Sequence, residues 1–126
     1  MVWQREKVAG KSVYMSVRDL AAHTDADVLY LTTIGRRSGL PRTIEIWFIY
    51  HAGRLYLNAE RRFAAQWVQN IVQDPRVKVR LKDYAFDGRA RVLDSQQDRA
   101  LWQTVVELSR QKYEWGEGLP VEIVPW

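Results

Sequence analysis

The chain has no cysteine and only two histidines among its 126 residues. Without cysteine it can form no disulfide, thiolate nucleophile, iron–sulfur cluster or cysteine-ligated zinc site. His23 and His51 lack the spacing of metal ligands, so we expect no metal. The sequence also lacks the motifs of nucleotide hydrolases, Rossmann domains and serine hydrolases. These absences disfavour metal hydrolysis, acyl transfer and nucleoside triphosphate hydrolysis.

Long apolar runs and a secretion signal are also missing. No window approaches the roughly 18 apolar residues of a membrane span, and the chain starts with charged rather than apolar residues. We therefore expect a cytoplasmic protein with no membrane partner, and the lack of cysteine agrees with a reducing compartment. The length and ordinary composition predict one globular domain over residues 1–126.

Positive charge is concentrated in one part of the chain. The whole sequence has 19 Lys and Arg against 15 Asp and Glu, a net charge of +4. Residues 35–62 alone contain six arginines and two glutamates, and so account for all of that net charge. A local basic patch of this kind favours an anionic ligand.

Hydrophobic periodicity predicts a mainly β protein of the α+β type. Six segments have the alternation or the β-branched composition of strands: 28–34, 43–50, 54–58, 77–81, 84–93 and 121–124. Apolar residues at steps of three and four predict one helix from Phe63 to Asp74 and another after a cap at Ser95. Short turns join most strands, so the pattern indicates a small antiparallel barrel with two flanking helices.

The segment 35–43 has the composition of an anion-binding loop. Its two glycines let the backbone approach a ligand, and Ser38 and Thr43 can donate hydrogen bonds. Three guanidinium groups can bind phosphate or carboxylate oxygens: Arg36, Arg37 and Arg42. A solvated basic hairpin loop explains the segment equally well. A second pair, Arg61 and Arg62, precedes the helix at Phe63, whose free N–H groups attract anions, and the two sites together favour a long anionic cofactor.

Aromatic residues accompany the basic segment. They occupy periodic positions at which core packing is the default interpretation, although some can stack on a planar ring: Trp47, Tyr50, Tyr56, Phe63 and Trp67. Trp102, Tyr113 and Trp115, near the end of the chain, fit either the core or a pocket mouth.

Residues 28–93 resemble a known family. The resemblance rests on the segment 31–43, on Trp67 and Asn70 in a Trp-x-x-Asn helix, and on the segment 74–79. Together they resemble the deazaflavin-dependent nitroreductases, a family of flavin and deazaflavin oxidoreductases with the split β-barrel of pyridoxamine-phosphate oxidases. The resemblance implies a reductase that passes hydride from reduced coenzyme F420, or from FMN in some relatives, to a quinone, a nitro compound or another electron-poor acceptor.

The resemblance also implies site residues. The cofactor would contact Arg36, Arg37, Ser38, Gly39, Arg42, Thr43, Asn58, Ala59, Arg61, Arg62 and Trp67. We expect Tyr113 and Trp115 on the acceptor side, and no catalytic side chain is assigned. A homodimer is expected as well, with Trp47 and Ile49 on a less-buried strand face available for the contact.

Other interpretations of the same residues remain open. FMN carries one phosphate, and the six arginines favour the longer acidic tail of F420 over it. A cofactor carrier would bind without turnover. A nucleic-acid binder would use the basic strand residues 76–82, but acidic residues interrupt that patch, so we expect no nucleic-acid partner.

Overall fold

The computed structural model describes residues 13–14 and 20–126. Eight strands form one sheet: β1 (Val13–Tyr14), β2 (Val28–Ile34), β3 (Pro41–Trp47), β4 (Ile49–His51), β5 (Arg54–Ala59), β6 (Arg76–Leu81), β7 (Tyr84–Val92) and β8 (Leu119–Pro125). A 3-10 helix (Arg62–Ala64) precedes helix α1 (Gln66–Gln73), and helix α2 (Arg99–Tyr113) lies between β7 and β8. No helix in the described part of the chain has both the length and the apolar character needed to span a membrane.

The sheet is an antiparallel half-barrel. Its strands follow the order β3-β2-β6-β7-β8-β5-β4, and every pair along this path is antiparallel. Among the strands of the described residues, β1 lies off this path and pairs with β7 in parallel. This architecture, with α1 and α2 beside the sheet, confirms the predicted small antiparallel split barrel.

The predicted single strand over 43–50 is wrong, because the chain changes sheet edge at Phe48. The residues before it, in β3, pair with β2, whereas β4 after it pairs with β5 at the other end of the sheet. The Phe48 side chain is 1% exposed in the main core. The break at a buried aromatic residue therefore joins the two edges and curls the sheet.

Both helices differ from prediction at their N-termini. The helix expected from Phe63 begins only at Gln66, because the 3-10 helix occupies the preceding residues. The turn before α2 is capped by Asp94 rather than Ser95: the Asp94 carboxylate accepts the backbone N–H groups of Gln96 and Gln97, each at 2.8 Å. An aspartate oxygen satisfies free N–H groups well.

Two predicted exposures are also wrong. Ile49, expected on a less-buried face, is 4% exposed because β4 packs against α2 near Val105. Lys78, expected on the exposed face of a half-buried strand, is 9% exposed. It lies in the interior strand β6, opposite Thr32 and Asp87 of its two neighbours, and such a position has flanking side chains on both sides.

Candidate active site

A large cavity, called here the wide cavity, occupies the gap of the half-barrel between β3 and β5. Its volume is about 810 Å³. Six aromatic side chains line it: Trp47, Phe48, Tyr56, Trp67, Tyr113 and Trp115. A concave and largely apolar space with a few polar groups is the usual form of a small-molecule site.

A second cavity of about 320 Å³, called here the basic cavity, adjoins the wide one. Arg36, Arg37, Ser38 and Arg42 line it. Three residues line both cavities and so mark their common boundary: Ile44, Gln66 and Trp67. The two spaces can therefore hold one elongated molecule, with an anionic end among the arginines and a planar end among the aromatics.

Asn70 of α1 holds Arg36 in place. Its Oδ1 accepts hydrogen bonds from the Arg36 backbone N–H at 3.2 Å and from the guanidinium at 3.0 Å. Gln66 Oε1 accepts a second guanidinium hydrogen bond at 2.8 Å. The Asn70 amide in turn donates to Thr33 Oγ1 at 3.1 Å, and Asn70 is 4% exposed.

All these partners of Arg36 are neutral. Within residues 13–14 and 20–126, Arg36 makes no ion pair. The guanidinium is thus fixed in direction while its charge is left uncompensated, which is the arrangement that binds phosphate or carboxylate. Sequence reasoning placed Arg36 in the site but missed Asn70 and Gln66; the Trp-x-x-Asn motif was the available signal.

Both glycines of the basic loop shape its turn. Gly39, at φ +71°, donates its N–H to Gly35 O at 2.8 Å, and the Gly35 N–H donates to Leu40 O at 2.8 Å. Ser38 Oγ accepts the Leu40 N–H at 3.1 Å. Among these residues, Ser38 and Gly35 line the basic cavity, whereas Gly39 does not.

Two further predicted cofactor residues lie outside both cavity walls. Thr43 points its hydroxyl across the sheet to Thr32, with the two oxygens 2.7 Å apart. Arg62, at φ +53°, begins the exposed 3-10 helix. By contrast, Asn58, Ala59 and Arg61 line the wide cavity as the resemblance implied.

Asn58 contributes an unused hydrogen-bond acceptor. Its Oδ1 is buried and has no hydrogen-bond partner among the described residues. A buried polar atom left unpaired costs free energy, so native proteins rarely keep one unless a ligand or water satisfies it. The wide cavity therefore offers an acceptor to a ligand N–H.

Tyr113 lines the wide cavity, but its hydroxyl forms hydrogen bonds at the break between β3 and β4. It lies 2.6 Å from Asp27 O and 2.8 Å from Phe48 O, and it accepts the Phe48 N–H at 3.1 Å. Burial raises the pKa of Tyr113. Its ring stacks on Trp47, with centroids 4.6 Å apart and planes within 2°. The hydroxyl holds the wall in shape, while Trp47 covers one face of the ring and the Lys112 ammonium lies 5.1 Å from the ring centroid.

Lys112 supports the same wall and was missed from sequence. Its ammonium donates to Ala26 O at 2.8 Å and Phe48 O at 3.0 Å, and it lies 3.9 Å from the Phe48 ring centroid. Burial lowers the pKa of Lys112. Trp115, beyond the helix end, accepts a hydrogen bond at its carbonyl from the Ser109 hydroxyl at 2.7 Å. The end of α2 thus fixes both predicted acceptor-side aromatics.

Tyr56 connects the wide cavity to a buried charge. Its hydroxyl donates to Glu122 Oε2 at 2.9 Å, and the Glu122 side chain is only 3% exposed. Arg54 and Arg91 lie 3.2 and 3.4 Å from the same carboxylate. Burial, reinforced by the Glu122 carboxylate, raises the pKa of Tyr56 well above its usual value.

This raised pKa predicts a loss of stability in alkali. In the unfolded chain Tyr56 loses its proton near pH 10, whereas in the folded protein it keeps it. The unfolded state then binds fewer protons, so the free energy of unfolding falls as pH rises above about 10. Chemical denaturation between pH 8 and 11 measures this slope. We expect a shallower slope for Tyr56→Phe; an equal slope would contradict the assignment to Tyr56.

The fold and the two cavities together define a split β-barrel protein that binds an elongated, anionic, planar-ended ligand. A family model described as F420H(2)-dependent quinone reductase matches residues 3–124. The chain belongs to this family. It is therefore an oxidoreductase, its cofactor is coenzyme F420, and the resemblance found in residues 28–93 is confirmed.

Solved structures show the same fold. An F420-H2 dependent reductase is 24% identical, with a TM-score of 0.57 over 78% of this chain and 93% of that one. A conserved hypothetical protein from Mycobacterium tuberculosis is 21% identical, with a TM-score of 0.69 over 96% and 86%. A protein described as a domain-swapped dimer is 24% identical, with a TM-score of 0.60 over 85% and 91%.

The residues present fit this cofactor. F420 has an acidic tail, for which the basic cavity provides three arginines, and a planar ring with N–H groups, for which the wide cavity provides aromatic walls and the free Asn58 oxygen. FMN, the alternative cofactor, has a single phosphate and would leave much of this positive charge unused.

Proposed function

We propose that the protein uses reduced F420 to reduce a small electron-poor acceptor, a quinone in the first place and a nitro compound in the second. The observation that carries the proposal is the Arg36 guanidinium, which neutral partners hold in the basic cavity and which donates to Gln66 on the boundary with the wide cavity. The family match over residues 3–124 also supports one cofactor-binding domain.

In this proposal each cavity has a separate task. Arg36, Arg37 and Arg42 bind the phosphate and acidic tail by charge-assisted hydrogen bonds, with Ser38 beside them. Residues of the wide cavity lie along the ring: Asn58, Ala59, Arg61 and Trp67. Gly39, Thr43 and Arg62 line neither cavity, and we leave them out of the site.

The protein's own part in the reaction is to hold the cofactor and the acceptor in position and to exclude water. When bound, the reduced cofactor supplies a hydride, and a quinone becomes a hydroquinone when it also takes up one proton. Tyr113 and Trp115 present aromatic surface at the far wall of the wide cavity, where a planar acceptor fits. Since hydride transfer needs close and fixed geometry, the rigid α2 end contributes by holding this wall.

Binding and turnover are tested separately. Titration of the protein into F420 should change the cofactor's fluorescence, and F420H2 should be oxidised when 2-methyl-1,4-naphthoquinone is added without oxygen. Arg42→Gln should weaken F420 binding several-fold, whereas Arg89→Gln, exposed on β7 and outside both cavities, should not. Binding without turnover on any acceptor would indicate a carrier, and no binding would overturn the proposal.

We also propose that two copies of the chain associate. Strand β3 lies at one edge of the sheet and is mostly exposed, and large apolar side chains are exposed at its two ends, Leu40 at 57% and Trp47 at 48%. Such edges and patches commonly mark interfaces. The relative described as a domain-swapped dimer supports this arrangement. Sedimentation should give twice the 14.8 kDa chain mass, and a monomer at all concentrations would refute it.

A further inference from the structure

The two cavities differ in charge. The basic cavity is lined by three arginines, and none of its described lining residues is acidic. The described lining residues of the wide cavity include Glu45, Glu60 and Arg61, two negative charges against one positive. The anionic end of a bound molecule and the reacting end therefore meet opposite electrostatic surroundings.

The two glutamates lie on both sides of the gap. Glu45 belongs to β3 and Glu60 directly follows β5, so the carboxylates come from opposite sides of the wide cavity. Neither forms a hydrogen bond or ion pair with another side chain in the described ranges, 13–14 and 20–126. Both side chains are exposed on the cavity wall, so their charges act on a molecule that enters the cavity.

We propose that Glu45 and Glu60 make the wide cavity select neutral or cationic planar acceptors and disfavour anionic ones. This inference rests on the proposed function and names the acceptor class for the same site. The two carboxylates repel an anionic acceptor, whereas a neutral quinone is not repelled. Aromatic walls still bind the ring of either kind, so charge alone separates the two classes.

The expected size of the discrimination is modest, because water screens exposed carboxylates. Two unit charges several ångströms apart near a protein surface change an equilibrium about three- to tenfold in total. The Debye length is about 10 Å at 0.1 M ionic strength and about 3 Å at 1 M. The discrimination should therefore be largest at low salt and fade as salt is added.

The test compares 2-methyl-1,4-naphthoquinone with a naphthoquinone sulfonate. The double variant Glu45→Gln, Glu60→Gln should raise the ratio of kcat/KM for the sulfonate over the neutral quinone about three- to tenfold at low salt. Comparing this ratio between the double variant and the wild type cancels the difference in reactivity between the two acceptors. Glu107→Gln, exposed on α2 and outside the wide cavity, is the matched control and should leave the ratio unchanged.

Binding without cofactor separates this inference from the proposed function. Trp47, Trp67 and Trp115 line the wide cavity, so quinones that enter should quench tryptophan fluorescence. The sulfonate should bind the double variant more tightly than the wild type, even if no acceptor is ever reduced. An unchanged ratio of dissociation constants in the double variant, or an equal change in Glu107→Gln, would overturn the charge selection.

Discussion

An Asn70→Asp variant is expected to bind F420 about thirtyfold more weakly than the wild type. The new carboxylate would stand where Oδ1 now accepts two hydrogen bonds from Arg36, and it would pair with the guanidinium. The charge that the cofactor tail needs would then be neutralised inside the protein. A thirtyfold loss corresponds to about 2 kcal/mol, within the range measured for charged groups at binding sites. Fluorescence titration of F420 measures it.

The fold should survive this change, which makes the binding loss interpretable. The Thr33 hydroxyl, which now accepts from the Asn70 amide, can reverse and donate to the carboxylate. Gln73→Glu is the matched control, because it adds the same charge at the exposed end of the same helix, outside the basic cavity. If both variants lose affinity equally, or if Asn70→Asp binds normally while folded, Asn70 does not position Arg36.

The sheet could be predicted from sequence wherever one face of a strand is buried. Strands β2 and β7 have their predicted positions because alternation and turn residues specify them locally. The break at Phe48 could not be predicted, since the alternation continues from β3 into β4 although the strands pair at opposite edges. Hydrophobic alternation indicates on which face of the sheet a side chain lies, but it does not indicate which strand pairs with it.

The charged residues of the candidate site could be predicted from sequence, whereas the residues that hold them and the cavity walls in place could not. The three cavity arginines stand out because an uncompensated basic cluster is unusual in a mixed surface. Asn70 is marked only by the Trp-x-x-Asn motif, which does not give its contact with Arg36, and Lys112 is an ordinary lysine near a helix end. Their roles arise from contacts with residues 34 and 64 positions away along the chain. Tyr113 shows the same limit: its ring was expected at the cavity, while its hydroxyl bonds to Phe48 depend on the fold.

Gly118→Ala is expected to lower the free energy of unfolding by about 3 kcal/mol. Gly118 has φ +118°, a conformation in which residues with a side chain are strained. An added Cβ would also lie 2.8 Å from Ala59 O and 3.1 Å from the Trp115 ring. Because the backbone of β5 can move little, the cost of backbone strain and the cost of overpacking add together. For a domain of this size we expect the melting temperature to fall by roughly 10 °C.

Gly39→Ala is the comparison variant for a positive φ without a steric contact. Gly39 also has a positive φ of +71°, but nothing lies within 4 Å of its added Cβ, so only backbone strain of about 1 kcal/mol should result. Equal losses in the two variants would show that the Ala59 contact contributes nothing. Because Ala59 and Trp115 both line the wide cavity, the displaced wall should also weaken tryptophan quenching by quinones in Gly118→Ala. Gly39→Ala should leave that quenching unchanged, since Gly39 lies outside the wide cavity.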